Sequence, residues 1–296
     1  MSIDTGGATL AAIGGARSVS NAVRLFTSNA IVLGGTNALT LSGDMTVASG
    51  NRTLTVSNTA LTTLSGNIYL SDSAGTGRTL TIGGAGNLLV SGMIANVAGG
   101  SGAAGNLVVN AGGTRTLTGN NTYTGTTTVA GTLSLQASSG AALANTSGVI
   151  VNGGQLQLGA ANQVNDAALV TLNGGTFSLG GFSETVGALT LQAGSTINFG
   201  GTGATLDFAN SSANTWTGTL TLQNFTVGSD FLNFGTAAGL TVAQLADLSL
   251  GGYTATGLDG SGNVLFTAAP EPSSSAFVLV GLAALAWRGR RALAFL

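Results

Sequence analysis

Short runs in which every second residue is apolar recur along most of the chain, as in Gln155-Leu156-Gln157-Leu158 and Thr79-Leu80-Thr81-Ile82. A period of two places the apolar side chains on one face of a strand and the polar ones on the other. The pattern predicts short half-buried strands, with Leu156 and Leu158 inward and Gln155 and Gln157 outward. Asn-Gly-Gly and Ala-Gly-Gly turns separate the runs, an arrangement that fits antiparallel hairpins and the coils of a β-helix alike.

Spacing decides between the two. Ser-Gly recurs at Ser42-Gly43, Ser65-Gly66 and Ser91-Gly92, with Thr118-Gly119 in the matching place, so the glycines lie 23, 26 and 27 apart. Arg52-Thr-Leu-Thr-Val, Arg78-Thr-Leu-Thr-Ile and Gly105-Asn-Leu-Val-Val each begin 13 residues before the next Ser or Thr of that series. A second version follows at Gly131-Thr-Leu-Ser-Leu, Gly154-Gln-Leu-Gln-Leu, Gly175-Thr-Phe-Ser-Leu, Gly194-Ser-Thr-Ile-Asn-Phe and Gly218-Thr-Leu-Thr-Leu, with spacings of 23, 21, 19 and 24. Hairpins have no reason to repeat at such an interval, whereas a coil stacks each strand on its counterpart about 4.8 Å away. Proline, which removes a ladder donor, is absent from residues 1–269. The expected fold is all-β, a parallel β-solenoid of roughly ten to twelve coils over residues 1–269. A cap is expected over about 214–269, where aromatics thicken (Trp216, Phe225, Phe231, Phe234). Within it, 240–248 reads as a short helix whose capping box is Thr241 and Gln244, placed to cover the last open strand edge.

Composition narrows the chemistry. Only 6% of residues are charged, the formal net charge is −2, and there are 49 Gly but no Lys, His or Cys. Without His there is no imidazole base, triad or His-ligated metal; without Cys there is no thiolate, disulfide or Cys-based zinc site. No cofactor or metal site is expected. The five body arginines, Arg17, Arg24, Arg52, Arg78 and Arg115, are scattered, so no basic stripe for nucleic acid is expected.

At Pro270-Glu271-Pro272 the composition changes abruptly. Three serines follow, then 276–287 without a charge, then Arg288, Arg290 and Arg291. Twelve residues make a helix of only about 18 Å, short of a hydrocarbon core of about 30 Å. Arginine after the apolar stretch favours a cytoplasmic C-terminus, with the body across the membrane. A buried helix ending in Arg is the plainer alternative.

Residues 270–291 resemble the PEP-CTERM sorting signal of Gram-negative exported proteins: a Pro-Glu-Pro motif, a short apolar helix and an Arg cluster. The stretch Gly119-Asn-Asn-Thr-Tyr-Thr-Gly-Thr-Thr-Thr-Val-Ala-Gly-Thr-Leu-Ser-Leu135 resembles the autotransporter-associated β-strand repeat, which implies a right-handed β-helix, and 216–248 is similar to the region that often precedes PEP-CTERM. These resemblances imply export, membrane association through 276–287, recognition of the tail by an exosortase-type enzyme and delivery to the cell surface or extracellular matrix. Exopolysaccharide or other surface proteins are the expected partners. The sorting-signal residues would be Pro270, Glu271, Pro272, Arg288, Arg290 and Arg291. Residues 292–296 extend past the usual Arg end, and Met1-Ser-Ile-Asp4 lacks the basic and apolar regions of a signal peptide, from which an N-terminal truncation is expected. An autotransporter would instead end in a closed barrel.

Four further patterns bear on chemistry. Gly100-Ser-Gly102-Ala-Ala-Gly105 spells GxGxxG but precedes the strand-like Leu107-Val-Val109 rather than a helix. Gly200-Gly-Thr-Gly203 with Asp207 is an incomplete calcium nonapeptide, and the Thr-x-Thr rows (Thr53/Thr55, Thr79/Thr81) break at Asn106-Leu-Val108. Glu184, Asp207 and Asp230 lie 23 apart, close to one coil, so their carboxylates could line one face and bind a cation or act on a polysaccharide. The leading expectation is a non-catalytic surface or matrix structural and adhesion protein; the alternative is a polysaccharide-active β-helix enzyme, a lyase or hydrolase, built on that trio.

Overall fold

In the computed structural model, residues 2–3, 8–26 and 30–270 are described. The body is a parallel β-solenoid of about ten stacked coils, and each early coil contributes a strand to each of three sides. The first side holds Ser2–Ile3, Val23–Leu25, Met45–Val47, Ile68–Tyr69 and Ile94–Ala95; the second is a nine-stranded sheet from Thr9–Ala12 to Leu189–Ala193; the third is an eleven-stranded sheet from Arg17–Val19 to Leu248–Ser249. Every strand of these sheets pairs in parallel with its counterpart in the adjoining coil. In the middle coils the first side narrows to the bridges Asn121↔Leu143 and Leu143↔Val164. It resumes as Glu184–Val186, Thr205–Phe208 and Phe231–Asn233.

Alternation becomes columns. On the third side Leu133 pairs with Leu156, Leu156 with Phe177, Phe177 with Ile197 and Ile197 with Leu222, and all five are buried. Leu156 and Leu158 are each 1% exposed, while Gln155 is half-buried and Gln157 exposed, as predicted. Because the columns run through successive coils, each coil completes the core of its neighbours and none closes a core alone.

The repeating glycines have a steric cause. A Cβ on Gly66 would lie 2.3 Å from the Gly43 carbonyl oxygen, one on Gly92 would lie 2.0 Å from that of Gly66, and one on Gly119 would lie 2.5 Å from that of Gly92. The Ser-Gly series is thus one corner at which the backbone of each coil rests on the coil before it. Gly154 and Gly175 form the corresponding stack of the second series, a Cβ on either falling 2.4 or 2.6 Å from the preceding glycine's carbonyl.

Two arginines point into the core. Arg115 takes a place between Leu88 and Leu133 in a core column and is fully buried. Its guanidinium donates to the carbonyls of Gly84, Gly86 and Gly113 at 2.6, 2.7 and 2.6 Å. Arg52 donates to the carbonyls of Leu25 and Phe26 at 3.2 and 2.7 Å. Close by, Arg24 and Arg78 both bind Asp72. The arginines scattered in sequence are therefore partly gathered in space, Arg52 and Arg115 inward and Arg24 and Arg78 onto one carboxylate.

The cap contains the expected helix, Val242–Ala246, with N-cap Thr241 and the capping box to Gln244. Gln244 Nε2 also donates to the carbonyls of Ser211 and Asn214 at 3.0 and 2.9 Å, so the helix takes the place of a second-side strand in the final coil. Phe208 stacks on Phe234 at 5.3 Å, with Trp216 edge-on to Phe234 at 5.9 Å. The antiparallel hairpin Tyr253–Leu258 and Val264–Ala268, which no sequence pattern announced, then covers the end of the first side through the bridge Asn233↔Asn263.

Candidate functional site

The three carboxylates do not form a row. Glu184 pairs with Leu206, whereas Asp207 pairs with Thr185 and with Asn233. A spacing of 23 is thus one residue out of register between these strands, and a one-residue offset sends a side chain to the opposite face. Glu184 points into the core and is 1% exposed, while Asp207 is half-buried on the outside. Asp230 precedes the strand Phe231–Asn233 and lies level with Ala204, since Phe231 pairs with Thr205.

The two buried carboxylates serve the backbone. Glu184 accepts from the N–H of Gln163 at 2.7 Å and of Val164 at 3.3 Å, where the first side has narrowed and lacks a strand pair to satisfy them. Asp230 accepts from Ala204 N at 3.0 Å and Thr226 N at 2.6 Å. Burial pushes the Glu184 carboxyl up to about 7 against the pull of the Gln163 and Val164 amides, with the Asp166 charge adding to the rise. Burial also raises Asp207. Asn121 and Gln163 play the same part in neighbouring coils: Asn121 Oδ1 accepts from Ile94 N, and Gln163 Oε1 from Ala137 N, each at 2.7 Å. These two side-chain ties had not been singled out in the sequence.

A surface cavity of about 710 Å³ lies beside this region, bordered by Gly140, Asn162, Gln163, Asp166 and Thr185. Asp166 is the one ionisable side chain on its lining; the buried Glu184 carboxylate is not on the lining and is engaged by the backbone amides of Gln163 and Val164, which border the same cavity. Carboxylate-pair chemistry requires two groups on either side of a substrate, and this wall presents one.

The other patterns resolve into structure. Gly105 leads into the strand Asn106–Gly112, and Gly203 turns the chain into Thr205–Phe208. The threonine row Thr53–Thr81 continues into Val108, as its sequence break predicts. Among the described residues no three His, Cys, Asp or Glu side chains gather as a metal-ligand set. Pro270 is exposed; Glu271, Pro272, the apolar stretch 276–287 and Arg288, Arg290 and Arg291 lie outside the described residues. No protein-family model, curated protein or solved structure matches the chain.

Proposed function

We propose that this chain is an exported structural and adhesion protein of the cell surface or extracellular matrix, its solenoid body acting as a non-catalytic scaffold. Its tail is read as a sorting handle for an exosortase-type enzyme. The observation that carries the non-catalytic part is the use made of the carboxylates: Glu184 and Asp230 are buried and bound to backbone amides, and Asp207 faces the other way. The tail reading rests on the ordered Pro-Glu-Pro, apolar and arginine segments of 270–291.

One observation favours the polysaccharide-active alternative, a carboxyl at about 7 close to a cavity, which is where a general acid or base would be tuned. Its burial and its ties to the Gln163 and Val164 amides weigh against it. A turnover assay on polyuronides with residues 1–269 separates the readings: no depolymerisation is expected, and chain cleavage that Glu184→Gln abolishes would establish the enzyme instead.

A further inference from the structure

Two successive coils leave the first side through long corner loops, 70–78 and 96–105, and these stack, with Ala103 N donating to Ala74 O at 2.7 Å. The coil above turns the same corner directly, Gly125 N donating to Gly105 O at 3.1 Å. The loop therefore overhangs a step. Beside it is a cavity of about 540 Å³, to which Tyr69 and Met93 contribute from the first side, Val97 from the loop, and Thr122, Thr124 and Asn145 from the coils above.

Register explains why the tyrosine lies outside the core, half-buried on the cavity wall. Ile68 and Ile94 are buried partners in the core, so alternation turns half-buried Tyr69 and its partner Ala95, itself buried, to the side away from the core, and the side chain beside the tyrosine is only a methyl group. The Tyr69 hydroxyl is held at the rim near Asn67 Nδ2 at 3.4 Å and Asp44 Oδ2 at 3.5 Å. Opposite, buried Asn96 donates to Thr124 Oγ1 at 2.9 Å and to Gly102 O at 3.2 Å. It also accepts from Gly105 N at 3.0 Å and Thr124 N at 3.1 Å. That network fixes the loop and leaves the Thr124 hydroxyl proton for an acceptor elsewhere.

The lining carries no charged side chain. An aromatic ring flanked by Met and Val, facing hydroxyls and an amide, suits a ligand with an apolar C–H face and a hydroxylated edge. We infer that this cavity binds a pyranose unit of a neutral polysaccharide, with Tyr69 as the stacking platform and Thr124 and Asn145 as hydrogen-bonding partners. Phosphorylated ligands would find no cation on the lining, and uronates would meet Asp44 at the rim. This inference rests on the adhesion reading above and gives it a ligand class.

The test is affinity electrophoresis of the full chain through gels containing dextran, hydroxyethyl cellulose or laminarin, with alginate as the anionic comparison and glucose as a competing monosaccharide. At least one neutral polymer should retard the protein more than alginate, with little effect of added salt, and glucose in large excess should relieve that retardation. Tyr69→Ala should weaken retardation about tenfold while Tyr69→Phe keeps it, both variants retaining the thermal midpoint of the parent. Should Tyr69→Ala fail to fold, Asn145→Ala, on an exposed residue, decides by weakening retardation. The inference is overturned if no neutral polymer retards the chain, or if a folded Tyr69→Ala or Asn145→Ala runs like the parent. Surface localisation, measured by fractionation, tests the structural reading separately.

Discussion

Glu184 shows how a carboxylate that looks catalytic in sequence can be buried and tied to backbone amides in space. Its pKa of about 7 against an ordinary 4.5 means that the folded state holds a proton the unfolded chain has released between those values, so stability falls as pH rises through that window. The loss should be on the order of 3 kcal/mol. Glu184→Gln, which keeps one acceptor oxygen for the two amides, should flatten the dependence of the thermal midpoint between pH 4.5 and 7; a slope unchanged from the parent would show that the carboxyl is not the titrating group. Leu156→Asp should cost about 4 kcal/mol or more by burying a charge, and Gln155→Asp less than about 1 kcal/mol. Equal denaturation midpoints for the two would contradict the assigned faces. Glu184 was in fact legible as inward, since it shares parity with buried Val186, just as Arg115 does with Leu117. The expected row overlooked this because it counted residues between carboxylates and not between strands.

At the scale of elements, the corner glycines set the stacking distance. Gly92→Ala would place a Cβ 2.0 Å from the Gly66 oxygen and should destabilise by about 3 kcal/mol. Gly75→Ala meets nothing within 4 Å and should stay within about 0.5 kcal/mol of the parent. Similar urea midpoints for both would remove the steric account of the repeat. Strand positions and coil order were readable because alternation and glycine recurrence are enforced by the core and the corner. The corner loops 70–78 and 96–105 stretch the period without an apolar pattern of their own, which hid the step and its cavity. The terminal hairpin was equally hidden: a bulge between Ala255 and Gly257 breaks its alternation, and its turn, held by Asp259 accepting from Ser261 and Asn263 at 2.8 and 2.9 Å, repeats nothing earlier in the chain.

For the whole molecule, a body closed by the helix and hairpin of its cap should fold without the tail. Its last strand ends at Ala268, Ala269 N is satisfied by Gly252 O at 2.9 Å, and Pro270 cannot extend the ladder. Residues 1–269 should therefore match the melting midpoint of the full chain by circular dichroism; a large loss would make the tail part of the fold. The central claim, a surface scaffold delivered by a processed tail, is tested most directly by intact mass after membrane fractionation in a host with an exosortase-type enzyme and in one without it. The expected result is a body trimmed at the tail and released from the membrane only where the enzyme is present, with Pro270-Glu271-Pro272→Ala-Ala-Ala leaving full-length protein in the membrane. Mature protein that retains residues 273–296 in both hosts would contradict it.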